Sequence, residues 1–106
     1  MRNKYGARKL KAPDGLVFDS VKEYQRWGEL KILQRAGVIS KLRRQVKYEL
    51  IPKQDGERAC HYIADFVYVN DKGETVVEDV KGFKTDVFRL KKKLMLWVHG
   101  IRVKET

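Results

Sequence analysis

The segment 61–81 limits the fold more than any other. Residues 61–69, HYIADFVYV, read as a strand that is apolar on both faces, and 75–81, TVVEDVK, read as its return partner. Asn70-Asp71-Lys72-Gly73 supplies a hairpin turn between them. A strand that is apolar on both sides has to be covered on both sides, which places the hairpin in a central sheet with helices packed against it.

Two further stretches read as those helices. Ser20-Val21-Lys22-Glu23 is a capping-box pattern, with Val21, Tyr24, Trp27, Leu30 and Leu33 expected to face inward and Ala36-Gly37 expected to stop the helix. The second helix starts at Thr85 or Asp86 and ends at His99-Gly100. Val87, Leu90, Leu94 and Val98 form its expected inner face, with Arg89, Lys92 and Lys93 largely on another. A basic link, 41–44, leads into Val46, Tyr48 and Leu50 at strand spacing, and 101–103 reads as a last strand. The order is α-β-β-β-α-β. Residues 1–14 are polar, basic and aperiodic, and are expected to form an arm before a single domain over 15–106. Within it, Asp14-Gly15 reads as a turn before the apolar Leu16-Val17-Phe18.

At 106 residues the chain has room for one core, and its 42% apolar content argues against disorder. Twenty-four Lys and Arg against fourteen Asp and Glu give a net charge of +10, which on so small a chain points to nucleic acid through counterion release. No run of about 18 apolar residues exists, so no membrane association is expected. The basic start has no apolar segment behind it, and the single cysteine, Cys60, fits a reducing interior. The expected compartment is the cytoplasm. His61 and His99 lack zinc spacing, no Gly-rich phosphate loop exists, and Cys60 has no evident catalytic partners, so no small-molecule organic cofactor is expected.

The turn decides what the hairpin can do. A three-residue loop, with Gly73 in the left-handed position, pairs Asn70 with Glu74 and sets Asp65 directly opposite Asp79, with Lys81 on the same face. A two-residue loop would instead put Glu78 opposite Asp65 and send Asp79 and Lys81 to the other side. Turn chemistry favours the first register. Two carboxylates opposed at about 5 Å repel one another, and burial sharpens the cost. A divalent cation between them would remove the repulsion and supply Lewis acidity, while Lys81 could orient water or stabilise charge at phosphorus. The alternative is that Asp65 and Asp79 form ion pairs with Lys81 and other lysines at a sheet rim.

Tyr62-Ile63-Ala64-Asp65-Phe66, then Asp79-Val80-Lys81-Gly82 across one turn, preceded by a helix carrying Ser20-x-x-Glu23, resembles the PD-(D/E)xK nuclease superfamily. More narrowly, the pattern resembles the small phage-encoded Holliday-junction resolvases of the endonuclease I-like branch, from about Phe18 onward. Ala64 stands where many members have proline, and the second acid is Asp rather than Glu. The resemblance implies a restriction-endonuclease-like αβββαβ core, α/β in class, with a central mixed sheet flanked by helices. It also implies a phage protein acting in the host cytoplasm as a Mg2+-dependent endodeoxyribonuclease, with Mn2+ able to substitute. Carried over by position, Glu23, Asp65 and Asp79 become metal ligands and Lys81 the catalytic lysine. Glu29 is the fallback helix ligand, Glu78 projects to the opposite face, and Gln45 resembles a glutamine placed near such sites.

The basic residues fall in the arm, in the link (Lys41, Arg43, Arg44) and on the second helix (Lys84, Arg89, Lys92, Lys93), where they and Gln45 are expected to meet DNA. No recognition-helix pattern presents Asn, Gln and Arg to base edges, so the expected substrate is branched DNA read by shape and backbone. Cutting two opposed strands of a junction from one acidic cluster per chain calls for a homodimer, in which Tyr5, Leu16 and Trp97 could be buried. Two other classes fit the same residues: a repair or restriction-type nuclease, and a catalytically silent DNA-binding module.

Overall fold

The computed structural model of the chain describes residues 9–80 and 84–106. A short ribbon opens it, β1 (Leu10–Lys11) antiparallel to β2 (Val17–Phe18). Asp14 Oδ1 accepts the Leu16 N–H at 3.0 Å inside this turn, and Gly15 takes φ +91°, where a side chain would be strained. The end of the stretch read as an arm is therefore tied down, with Ala12 buried, while its residues 1–8 lie outside the described set.

Helix α1 (Val21–Arg35) begins at Ser20, whose hydroxyl accepts the Glu23 N–H at 3.1 Å. The return half of the box is displaced by one residue, since Glu23 Oε1 accepts from Asp19 N at 3.4 Å. The helix closes with paired bonds from Gly37 N to Gln34 O and from Val38 N to Leu33 O, the Schellman arrangement that the glycine allows. Its inner face is narrower than expected. Leu30 is fully buried and Trp27 and Leu33 pack beside it, but Val21 is exposed, and Tyr24 meets Phe18 of the small ribbon edge-on at 5.2 Å.

The main sheet has the order β3-β4-β5-β6, formed by β3 (Ser40–Ile51), β4 (Cys60–Val69), β5 (Thr75–Asp79) and β6 (Lys104–Glu105). The first three strands are antiparallel and β6 joins β5 in parallel, reached through helix α2 (Asp86–His99). This is the mixed-sheet αβββαβ arrangement of the restriction endonucleases. Residues 41–44 are not a link but the opening of β3, and the last strand is Lys104–Glu105 rather than 101–103, with Val103 buried in the core just before it.

Each face of the sheet has its own core. Phe88 and Met95 of α2 pack with Leu50, Val67 and Val77 on one side, and Leu30 of α1 packs with Ile39, Phe66 and Tyr68 on the other. The inner face of α2 is thus set by Phe88 and Met95, two turns apart. The expected inner residues Val87, Leu90 and Val98 are exposed, and only Leu94 of that set packs against the core. Adjacent Val67 and Phe66 point to opposite sides, as strand residues should. Tyr62 and Ala64, however, join the α2 side, although Phe66 and Tyr68, in phase with them, join the α1 side. The alternation therefore breaks at Asp65. Across β3 from that break lies Gln45, whose φ of +52° departs from extended backbone.

Candidate functional site

The hairpin loop fixes the site. Asn70 N–H donates to Glu74 O at 2.9 Å, Gly73 N–H donates to Asn70 O at 3.0 Å, and Gly73 sits at φ +79°. The register is the three-residue one: Val69 pairs with Thr75 and Phe66 with Glu78, so the next step sets Asp65 across from Asp79.

Asp65 is held from three directions. Its Oδ2 accepts the Val80 N–H at 2.8 Å, the Gln45 amide reaches Oδ1 at 3.5 Å, and Asp79 lies within hydrogen-bonding reach. Burial pushes the Asp65 carboxyl up, to about 8. The Val80 N–H opposes the rise, and the negative charges of Asp79 and Glu23 add to it. Asp79 is 2% exposed, and the Tyr62 hydroxyl donates to its Oδ2 at 2.5 Å. Burial first, and Asp79 second, raise the Tyr62 phenol, which therefore stays a donor. The outcome is a pair of carboxyl groups, Asp79 buried and Asp65 half-buried, each oriented by a neighbour.

Glu23 is near enough for its charge to be felt by Asp65, yet its carboxylate is engaged elsewhere. It is buried, and its Oε1 lies 3.6 Å from Arg44 Nη2. Among the described residues no group of three or more His, Cys, Asp or Glu is close enough to hold a metal ion. The chain brings Asp65 and Asp79 together and leaves Glu23 with Arg44. Glu29 pairs with Arg26 at 3.0 Å on the exposed side of α1, and Lys81 lies outside the described residues. Glu78 points to the α1 face and is fully buried, with two hydrogen bonds from Arg26 and one from the Tyr68 hydroxyl. Burial raises its carboxyl, but those donors and the Arg26 charge outweigh it and hold the group below the usual carboxylate range.

The basic residues divide by environment. Arg44 is enclosed: its guanidinium lies 4.1 Å over the Phe18 ring and donates to Val17 O at 2.9 Å. Lys41 and Arg43 are exposed on β3. Lys84, Arg89, Lys92 and Lys93 gather around a cleft of about 370 Å³ between α2 and β6. Sequence reasoning missed Arg102 and Glu105, which also line this cleft. Glu105 accepts from Lys84 at 2.9 Å and from Lys92, and these two lysines hold its carboxyl down at about 2. Neither residue carries a local motif, so only the fold reveals them. His99 packs edge-on to Tyr48 at 5.4 Å with a ring nitrogen 2.7 Å from Glu49 O, which accounts for it structurally.

Fold and site together define an α/β core of the general PD-(D/E)xK kind with a paired-carboxylate position on its central hairpin. A family model described as "Protein of unknown function (DUF1064)" matches residues 2–103, and the chain belongs to that family. No curated protein matches the chain. No solved structure matches it either. Among the described residues, no helix is long and apolar enough to cross a membrane.

Proposed function

We propose that this chain is a metal-dependent endodeoxyribonuclease that cuts branched DNA, a four-way Holliday junction above all. The observation that supports the reading is the opposition of Asp65 and Asp79 across the β4–β5 hairpin, on a fold whose relatives in architecture place a cleavage site there. The donor chemistry fits a hard divalent ion. Two adjacent carboxyl groups offer the oxygen ligands that Mg2+ or Mn2+ takes, and an ion there would replace the proton that burial retains on Asp65.

Asp65 and Asp79 would hold the ion, with Glu23 as third ligand once released from Arg44. A bound Mg2+ would supply Lewis acidity at the scissile phosphate. The Val80 N–H and the Gln45 amide orient Asp65, and the Tyr62 hydroxyl orients Asp79. Lys81 orients the attacking water or stabilises charge at phosphorus. Phosphates to either side rest on Lys41, Arg43, Arg89 and Lys93, and a homodimer supplies a second site for the opposed strand.

A second reading is favoured by the Glu23–Arg44 contact: a DNA-binding module that has kept the fold but lost cleavage. One assay separates them. Four-way junction, duplex and single-stranded DNA, each strand labelled in turn, are incubated with the protein and Mg2+. Paired incisions in the junction, faster than in duplex, are expected. Equal cutting of duplex would reduce the reading to a general nuclease, and tight binding without any cutting would leave the silent module.

A further inference from the structure

The cleft between α2 and β6 combines features that a plain phosphate-binding surface does not need. Among the described residues five cations surround it: Lys84, Arg89, Lys92, Lys93 and Arg102. Glu105 on its wall is already taken by Lys84 and Lys92. Among the described residues Arg89 pairs with the exposed Asp86, at 3.0 Å, while Lys93 and Arg102 form no ion pair. Between these cations lies an apolar wall made by Leu96, which is 41% exposed, and the rim of Phe88. At about 370 Å³ the cleft lies near the lower end of small-ligand sites, room for one nucleotide but not for a base pair. Its position is equally telling. Glu105, on the wall of the cleft, stands in register with Asp79, so the cleft is lined from the strand next to the one that carries Asp79.

We infer that this cleft takes one unpaired nucleotide of the strand next to the cleavage position, its base against Leu96 and Phe88 and its phosphate on Lys93 and Arg102. The inference rests on the nuclease reading for its place in a reaction, but not for the binding itself. It names the feature of branched DNA that the chain would read: a nucleotide freed from its stack, as at a junction or flap. A base face against an apolar side chain and a phosphate between two cations are the two halves of single-strand recognition. A paired nucleotide presents its phosphate but not its base face.

The test is fluorescence anisotropy with the full chain in EDTA, where no cleavage can occur. The probes are a labelled blunt duplex, the same duplex with a short thymidine flap, and that flap with abasic sugars. The flap should bind about tenfold tighter than the blunt duplex, and abasic sugars should remove most of that gain. Leu96→Asp, and separately Lys93→Ala with Arg102→Ala, should abolish the preference while circular dichroism stays unchanged, since all three residues are exposed. Equal binding of flap and blunt duplex by the wild type, or a preference that survives both variants, overturns the inference. So does displacement of the flap by an equal concentration of free thymidine monophosphate, which would make this a free-nucleotide site. Failure of junction cleavage with the flap preference intact would remove the nuclease reading alone.

Discussion

Arg26 of α1 reaches across the sheet face to grip Glu78 of β5 with two hydrogen bonds, Nε at 2.8 Å and Nη2 at 2.7 Å, while Glu78 is wholly removed from solvent. The pair fastens the helix that carries Glu23 to the strand that carries Asp79. Removing one partner leaves the other charge buried alone, so Arg26→Met should cost roughly 3–5 kcal/mol in urea unfolding. Adding Glu78→Leu should return most of that loss, short of what the Tyr68 hydroxyl forfeits with its acceptor. If Arg26→Met alone unfolds like the wild type, the pair is not the fastening described.

Asp65 makes stability depend on pH in an unusual direction. Its carboxyl moves from 3.8 to about 8 on folding, burial being the main cause. Between those values the folded chain holds a proton that the unfolded chain has released, so this contribution shrinks as pH climbs from about 4 to about 8. In metal-free buffer the Tm of Asp65→Asn should lack that decline, and Mg2+ should stabilise the wild type most near pH 8. Parallel Tm profiles for the two proteins would contradict the assignment.

Asp79→Asn should fold and bind DNA yet lose cleavage by roughly 100-fold or more, since even neighbours of metal ligands commonly cost 10–100-fold. Wild-type cleavage should need Mg2+ or Mn2+ and fail with Ca2+, whose longer and looser coordination misplaces the phosphate. Near-normal cutting by the variant, or by the wild type in EDTA, would remove Asp79 from the site.

Light scattering should return twice the 12.5 kDa chain mass. Trp97 stands 84% exposed on α2 with Leu90 and Val87 also uncovered, a face that a second copy would bury. Trp97→Asp should shift the mass to that of one chain, because large aromatics carry much of an interface. A wild-type monomer at working concentration ends the homodimer reading.

The hairpin was legible from sequence because its cause is local: Asn70 and Gly73 set the loop, and strand alternation does the rest as far as Phe66. The same reasoning placed Glu78 on the opposite face. Helix α2 was misread because Val87, Leu90, Leu94 and Val98 keep helical spacing as well as Phe88 and Met95 do, and periodicity cannot say which stripe meets the sheet. Arg44 looked like a surface cation, since its partners Val17, Phe18 and Glu23 are more than 20 residues away in sequence. The break in phase at Asp65 is likewise a property of two strands together, shared with Gln45, and neither strand announces it alone.

Strand β3 occupies the rim of the sheet, where unpaired N–H and C=O groups invite a neighbouring molecule to add a strand. Its pairing with β4 slips between Ser40 and Arg43 and again between Glu49 and Ile51, and Lys41 and Gln45 turn their backbone to positive φ. Those interruptions divide the free rim into pieces too short to template a partner, and Lys41, Arg43 and Lys47 on its exposed positions repel an identical copy. A basic protein crowded onto a polyanion reaches high local concentrations, the condition under which open sheets aggregate. At any such concentration the irregular rim denies copies of this chain a long edge on which to pair.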